Sequence, residues 1–159
     1  MKKNITQMSE FEEFIERFDF FKHAQVDEDN IKSDSNILEI NLLCPLDDSP
    51  ENREVYEKFL FFTLEKHAYI SVNLKFNNVK NSEIILNRDE HDEAIYIQST
   101  VIDLDEKAIR FVFEHDNIKH IKVEYTDFSV ELSLDDNEKT YAHKRLKFRP
   151  IEALKDLLS

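Results

Sequence analysis

Hydrophobic positions along this chain follow a helical period at the start and an alternating one through most of the rest. Phe11, Phe14, Ile15, Phe18 and Phe21 recur three and four residues apart, which gathers them on one helical face, while Glu10, Glu13, Glu16 and Arg17 lie mostly off it. Ser9-Glu10-Phe11-Glu12 has the order of a capping box, with Ser9 placed to accept from the Glu12 amide. The pattern predicts a helix over 9–22 with its phenylalanine stripe turned to a core, and leaves residues 1–8 as a flexible leader.

Beyond His23 the period shortens to two. Strands are expected at 24–26 and 37–43, separated by the turn residues Asp34-Ser35-Asn36, and Cys44-Pro45 ends the second. Two readings compete in the next segment. Ser49-Pro50-Glu51 is a helix start, with a cap residue, proline at the first helical position and an acid in the first turn; Val55, Phe59 and Phe62 continue at helical spacing. Yet Phe62, Leu64, Lys66 and Ala68 alternate into the following strand. A helix over 50–64 is the expectation. Ala68 to Phe76 then alternate without a break up to Asn77-Asn78. Further strands are expected at 82–86, 94–103, 108–114, 118–125, 128–134 and 139–148. Pro150 opens a short helix with Ile151, Leu154, Leu157 and Leu158 on one side. Consecutive strands with short polar connections predict a multistranded, mainly antiparallel, meander-like sheet. The fold class is α+β: this sheet covered by the N-terminal helix, with a middle and a short C-terminal helix, in one domain over 9–159.

Composition narrows the chemistry. The chain has no glycine, against an average of about 7%. Phosphate-cradling loops, dinucleotide fingerprints, calcium loops and nucleophile elbows use glycine where a Cβ would clash, so none is present in standard form. Twelve asparagines supply turn residues that tolerate positive φ. Cys44 is the single cysteine and lies in the apolar run Leu42-Leu43-Cys44-Pro45, which marks a buried, inert thiol. No internal disulfide is possible, and a cytoplasmic setting is expected. Apolar runs such as Phe59–Phe62 are too short to cross a bilayer, and the first residues lack the apolar stretch of a signal peptide.

Charge is strong and uneven. The net charge is −13, but residues 1–138 carry 15 Lys and Arg against 32 Asp and Glu, a net −17, while 139–149 carry five bases and no acid. Such a field repels nucleic acid and anionic membrane and speeds encounter with a basic protein. Acids gather at Asp89, Glu90, Asp92 and Glu93, at Asp103, Asp105 and Glu106, and at Asp135, Asp136 and Glu138. The first two clusters are the candidate partner-binding residues. The basic stretch Lys139, Lys144, Arg145, Lys147 and Arg149 is expected to face acidic neighbours on an adjacent strand.

Candidate catalytic chemistry is sparse. His91, His115 and His120 lie among carboxylates and define an alternative reading, a metal-dependent hydrolase, but none has a zinc-site spacing. No nucleophile and base stand together, so the expectation is no enzyme, no cofactor and no metal. A structural or regulatory interaction module is a further alternative.

Phe21-Lys22-His23-Ala24-Gln25-Val26, then Ile37-Leu38-Glu39-Ile40, then Val72-Asn73-Leu74-Lys75-Phe76-Asn77-Asn78-Val79 is similar to the beginning of small β-rich bacterial immunity proteins. These begin with a histidine-led strand and carry a later V-x-L-x-F-x-x-V strand; the aspartate that often follows the histidine is replaced here by Ala24. The resemblance implies neutralisation of a cognate toxin by direct binding. With the charge, it sets the functional expectation: an acidic, immunity-type inhibitor that occludes a basic toxin or enzyme.

Overall fold

The computed structural model describes residues 1–86, 95–114 and 119–158. Its strands are β1 (Lys2–Ile5), β2 (Gln25–Val26), β3 (Lys32–Asp34), β4 (Ile37–Pro45), β5 (Arg53–Phe59), β6 (Phe62–Ile85), β7 (Ile95–Asp103), β8 (Ala108–Phe113) and β9 (His120–Phe148). The helices are α1 (Met8–Glu16) and α2 (Pro150–Leu158). The strands join one antiparallel sheet in the order β1-β9-β8-β7-β2-β4-β6-β5, with β3 paired to β4. β6 also pairs with β9, so the circuit β9-β8-β7-β2-β4-β6 returns to its start. Closure of this kind removes sheet edges around the body and encloses the side chains of one face.

Alternation decides which face that is. Along β4, Leu38, Ile40, Leu42 and Cys44 are buried, and opposite them Ile70, Val72, Leu74 and Phe76 of β6 are buried too. β8 and β9 add Phe111, Phe113, Ile121, Val123, Val130 and Leu132. Phe11, Phe14 and Ile15 of α1 join the same core; Phe11 meets Phe76 edge-on at 6.2 Å, and Phe21 lies 6.4 Å from Phe111.

Four expectations change. Residues 2–5 are not a loose leader: β1 pairs with β9, Lys2 opposite Ser133 and Ile5 opposite Val130, and Ile5 is buried. The first helix is shorter than 9–22. It begins at Met8, with Gln7 at the cap position and no side-chain cap bond, so the Ser9 box is not formed. It ends at Glu16, after which Asp19, Phe20, Phe21 and His23 all take positive φ (52°, 54°, 62° and 66°). This reversal carries Phe21 onto Phe111, which repays left-handed backbone otherwise unfavourable for bulky residues.

The middle helix over 50–64 does not form. Pro50–Asn52 is a single 3₁₀ turn, and Arg53–Phe59 folds back on β6 as a hairpin turning at Leu60-Phe61, Leu60 at φ 48°. The alternation from Phe62 to Ala68 thus prevailed over the helix start, because each strand supplies the other's hydrogen-bond partners. Finally, the separate strands 68–76 and 82–86 fuse into β6, and 118–125, 128–134 and 139–148 fuse into β9. The sequence breaks survive as bulges. Asn78, at φ 53°, donates from Nδ2 to the Asp127 carbonyl, while Thr126 Oγ1 donates to the Asn78 carbonyl, so both strands bend together instead of turning.

β5, the first residues of β6, the end of β9 and α2 project beyond this body as an arm. Arg53 Nη1 donates to Glu152 Oε1 (2.6 Å) and Lys58 Nζ to Asp156 Oδ2 (2.9 Å), which fastens α2 across the hairpin.

Candidate functional site

Asp103, Asp105 and Glu106 stand on the tight turn between β7 and β8. Asp103 Oδ1 accepts from the Glu106 amide (2.9 Å), and Lys107 closes the turn at φ 50°. Asp105 and Glu106 are exposed. Lys122 Nζ lies 3.3 Å from both Glu106 Oε2 and Glu124 Oε1, and these bonds, Glu124 first, hold its pKa above the usual lysine range. The turn adjoins the β9 corner, where Tyr125 N donates to the Lys107 carbonyl and Asp127 is exposed. Five acids and two lysines therefore share this end, including Glu124 and Asp127, which alternation alone did not single out. Asp89, Glu90, Asp92 and Glu93 lie outside the described residues, as do His91 and His115. The Asp135–Glu138 cluster sits elsewhere, where four residues of β9 stand opposite the single residue Ser71 of β6.

The remaining metal candidate, His120, faces Glu83 across the β6–β9 ladder, Nε2 to Oε1 3.2 Å. Among the described residues no three His, Cys, Asp or Glu side chains converge as a metal site. Cys44 is buried in the core, and burial pushes its thiol far above the range in which it would ionise.

The basic end of β9 does not face the acids nearest in sequence. Arg149 forks onto Asp48, donating to both carboxylate oxygens at 2.7 Å, and Nη2 donates to Glu65 Oε1 at 2.5 Å. Thr63 Oγ1 donates to the other Glu65 oxygen (2.6 Å). Burial alone would raise the Glu65 carboxyl, but Arg149 and Thr63 outweigh it and hold it below the usual range; Arg149 does the same for Asp48. Lys144 lies over the Tyr56 ring at 4.5 Å.

Above this buried pair opens a cleft of about 570 Å³ at the mouth of the sheet. β6 contributes Glu65, His67 and Tyr69, alternate residues of one face; β9 contributes His143, Arg145 and Lys147. β9 has one residue more than β6 between the pairs Glu65–Arg145 and His67–Ala142, and His143, at φ 59°, lies in that bulge. Its Nε2 is 3.2 Å from Gln25 Oε1 and 3.4 Å from the Tyr96 hydroxyl. His67 Nε2 donates to the Leu46 carbonyl (2.7 Å), which fixes the hydrogen on that nitrogen in the neutral ring. The His67 and His143 rings flank Tyr69, centroids 5.8 and 5.3 Å away. On the far side His23 Nδ1 meets Glu114 Oε1 at 2.5 Å. This cleft escaped the sequence reading because its groups come from segments more than a hundred residues apart. The one local signal was alternation of polar rings, His67-x-Tyr69 and His143-x-Arg145, on strands expected to be amphipathic anyway.

A second surface is apolar. The hairpin tip, the end of β9 and α2 expose Leu60 (90%), Phe61, Phe148, Ile151 and Leu157 (77%), and Leu60, Phe61 and Leu157 line a cavity of about 190 Å³ there. No helix among the described residues is long and apolar enough to cross a membrane. Comparison with known proteins places the chain beside none of them: no family model matches it, and no curated protein or solved structure is significantly similar to it.

Proposed function

We propose that this chain is a non-catalytic, acidic protein-binding inhibitor of the immunity type, acting in the cytoplasm, which neutralises a basic toxin or enzyme by occluding it. The observation that carries the reading is the acidic end of the sheet. The β7–β8 turn presents Asp103, Asp105 and Glu106 on a backbone pinned by its own side-chain bond, with Glu124 and Asp127 beside it, within a stretch of net charge −17. Carboxylates held on a rigid turn present their charge without losing side-chain and loop entropy on binding, and the surrounding field accelerates encounter. Occlusion needs no cofactor and no nucleophile, in keeping with the chemistry read from the sequence.

The test is kinetic. Association with the basic partner recovered by affinity capture and identified by mass spectrometry should slow steeply between low and physiological salt. Reversal by Asp103→Lys, Asp105→Lys and Glu106→Lys together should slow it by about tenfold or more at low salt, with dissociation changed less. Capture of no basic protein, together with unchanged interactions in the triple variant, rejects the reading.

The exposed apolar residues of the arm favour a second reading, a structural or regulatory module that docks through this surface. Its complex would hold its association rate as salt rises and would lose affinity on Leu60→Asp or Leu157→Asp.

A further inference from the structure

The cleft beside the arm has features that an acidic occluding surface does not require. Its carboxylates are already taken: Glu65 by Arg149 and Thr63, Asp48 by Arg149, Glu114 by His23. Its cations are not. Neither the Arg145 nor the Lys147 side chain has a hydrogen bond or ion pair among the described residues, and Arg145 stands directly across the ladder from a Glu65 whose oxygens are occupied. Two cations without a side-chain partner have thus been kept at one cleft in a molecule of net charge −13. Five rings line it, His23, His67, Tyr69, Tyr96 and His143, with tyrosine hydroxyls among them. Two of the histidines, His23 and His143, are held at positive φ, and the second is aimed by a bulge. Left-handed backbone at a non-glycine residue and bulges that redirect a side chain both concentrate at binding sites.

We infer that this cleft binds a small phosphomonoester carrying a flat ring, of the nucleoside monophosphate class, with the phosphate on Arg145 and Lys147 and the base among the tyrosine and histidine rings. The guanidinium offers paired donors to phosphate oxygens and the ammonium a point charge beside them. Stacking against aromatic faces tolerates any base, so the site reads ring and phosphate more than base identity. A volume of about 570 Å³ lies within the range of small-molecule sites, about 300–1,000 Å³. The site shares no residue with the acidic turn, so it stands or falls independently of the inhibitor reading.

Calorimetric titration of the full chain with AMP, UMP, adenosine, ribose 5-phosphate and inorganic phosphate tests it, with the histidine ring resonances followed by NMR. AMP and UMP should bind, shift the His67 and His143 signals, and outbind adenosine and inorganic phosphate by about tenfold or more each. Arg145→Gln with Lys147→Gln, both at exposed positions, should remove that advantage over adenosine while the circular dichroism spectrum stays unchanged. Tyr96→Leu should weaken AMP more than ribose 5-phosphate. Equal affinity for AMP and inorganic phosphate overturns the ring half of the assignment. Undiminished AMP binding in the double variant, or no binding of any probe at millimolar concentration, overturns the whole.

Discussion

Glu65 is 3% exposed and carries a charge, which makes it the most demanding residue in the arm. Its partner Arg149 comes from just beyond the far end of β9 and simultaneously grips Asp48. Removing one member of a buried pair leaves the other uncompensated, so Arg149→Met should cost about 3–5 kcal/mol in denaturant unfolding. The pH dependence has a definite sign. Glu65 and Asp48 are both held below their unfolded values, so their stabilisation is complete above the ordinary carboxylate range and is lost as pH falls through the depressed folded values. The gap between wild type and Arg149→Met should therefore be widest near neutrality and narrow on acidification; a constant gap would mean that Arg149 contributes packing and not charge. That the bases meet acids on an adjacent strand was legible in the chain, and Glu65 of β6 is such a neighbour, but the identity of the partners was not. A run of five bases without an acid announces that partners exist, but the sequence offers Asp135 and Glu138 as the nearest, and the fold chooses Asp48 and Glu65 instead.

At the scale of elements, pattern was a better guide to type than to extent. The phenylalanine spacing correctly marks a core-facing helix, yet overruns its end, because the same spacing continues through Phe18 and Phe21 while the backbone reverses. The two kinds of position separate experimentally. Phe14 is buried and Phe18 only partly so, and Phe14→Ala should cost about 3–5 kcal/mol, with Phe18→Ala distinctly less. Equal losses would mean that the reversal packs as tightly as the helix. The middle segment misled for another reason: cap residues and proline at Ser49-Pro50-Glu51 start a single turn just as well as a helix, and nothing local says which. Polar pairs such as Asn77-Asn78 and Thr126-Asp127 likewise mark a disturbance of the strand without saying whether the chain turns or bends. The answer lay in the facing strand, whose irregularity coincides.

For the whole molecule, the alternating pattern conveyed an antiparallel sheet but not its closure, which depends on β6 finding β9 across the intervening β7 and β8. The acidic turn was legible because charge needs no partner to be recognised. The cleft was not, because its meaning lies in which charges cancel. The β6–β9 ladder also orders events in time. Ile85 pairs with His120, 35 residues on, whereas Phe62 pairs with Phe148, 86 residues on. Closing the outer rung directly from an open chain costs about 0.8 kcal/mol more loop entropy than closing the inner one. On loop entropy the ladder is expected to close from the Ile85–His120 end outward, with the arm last to close and first to open. Amide exchange should record that sequence, with protection greatest near Val72–Phe76 and falling toward Phe62 and Phe148. A partner or ligand that engages the arm would then act on the loosest part of the protein, and its first visible effect would be slower exchange at the outer rungs.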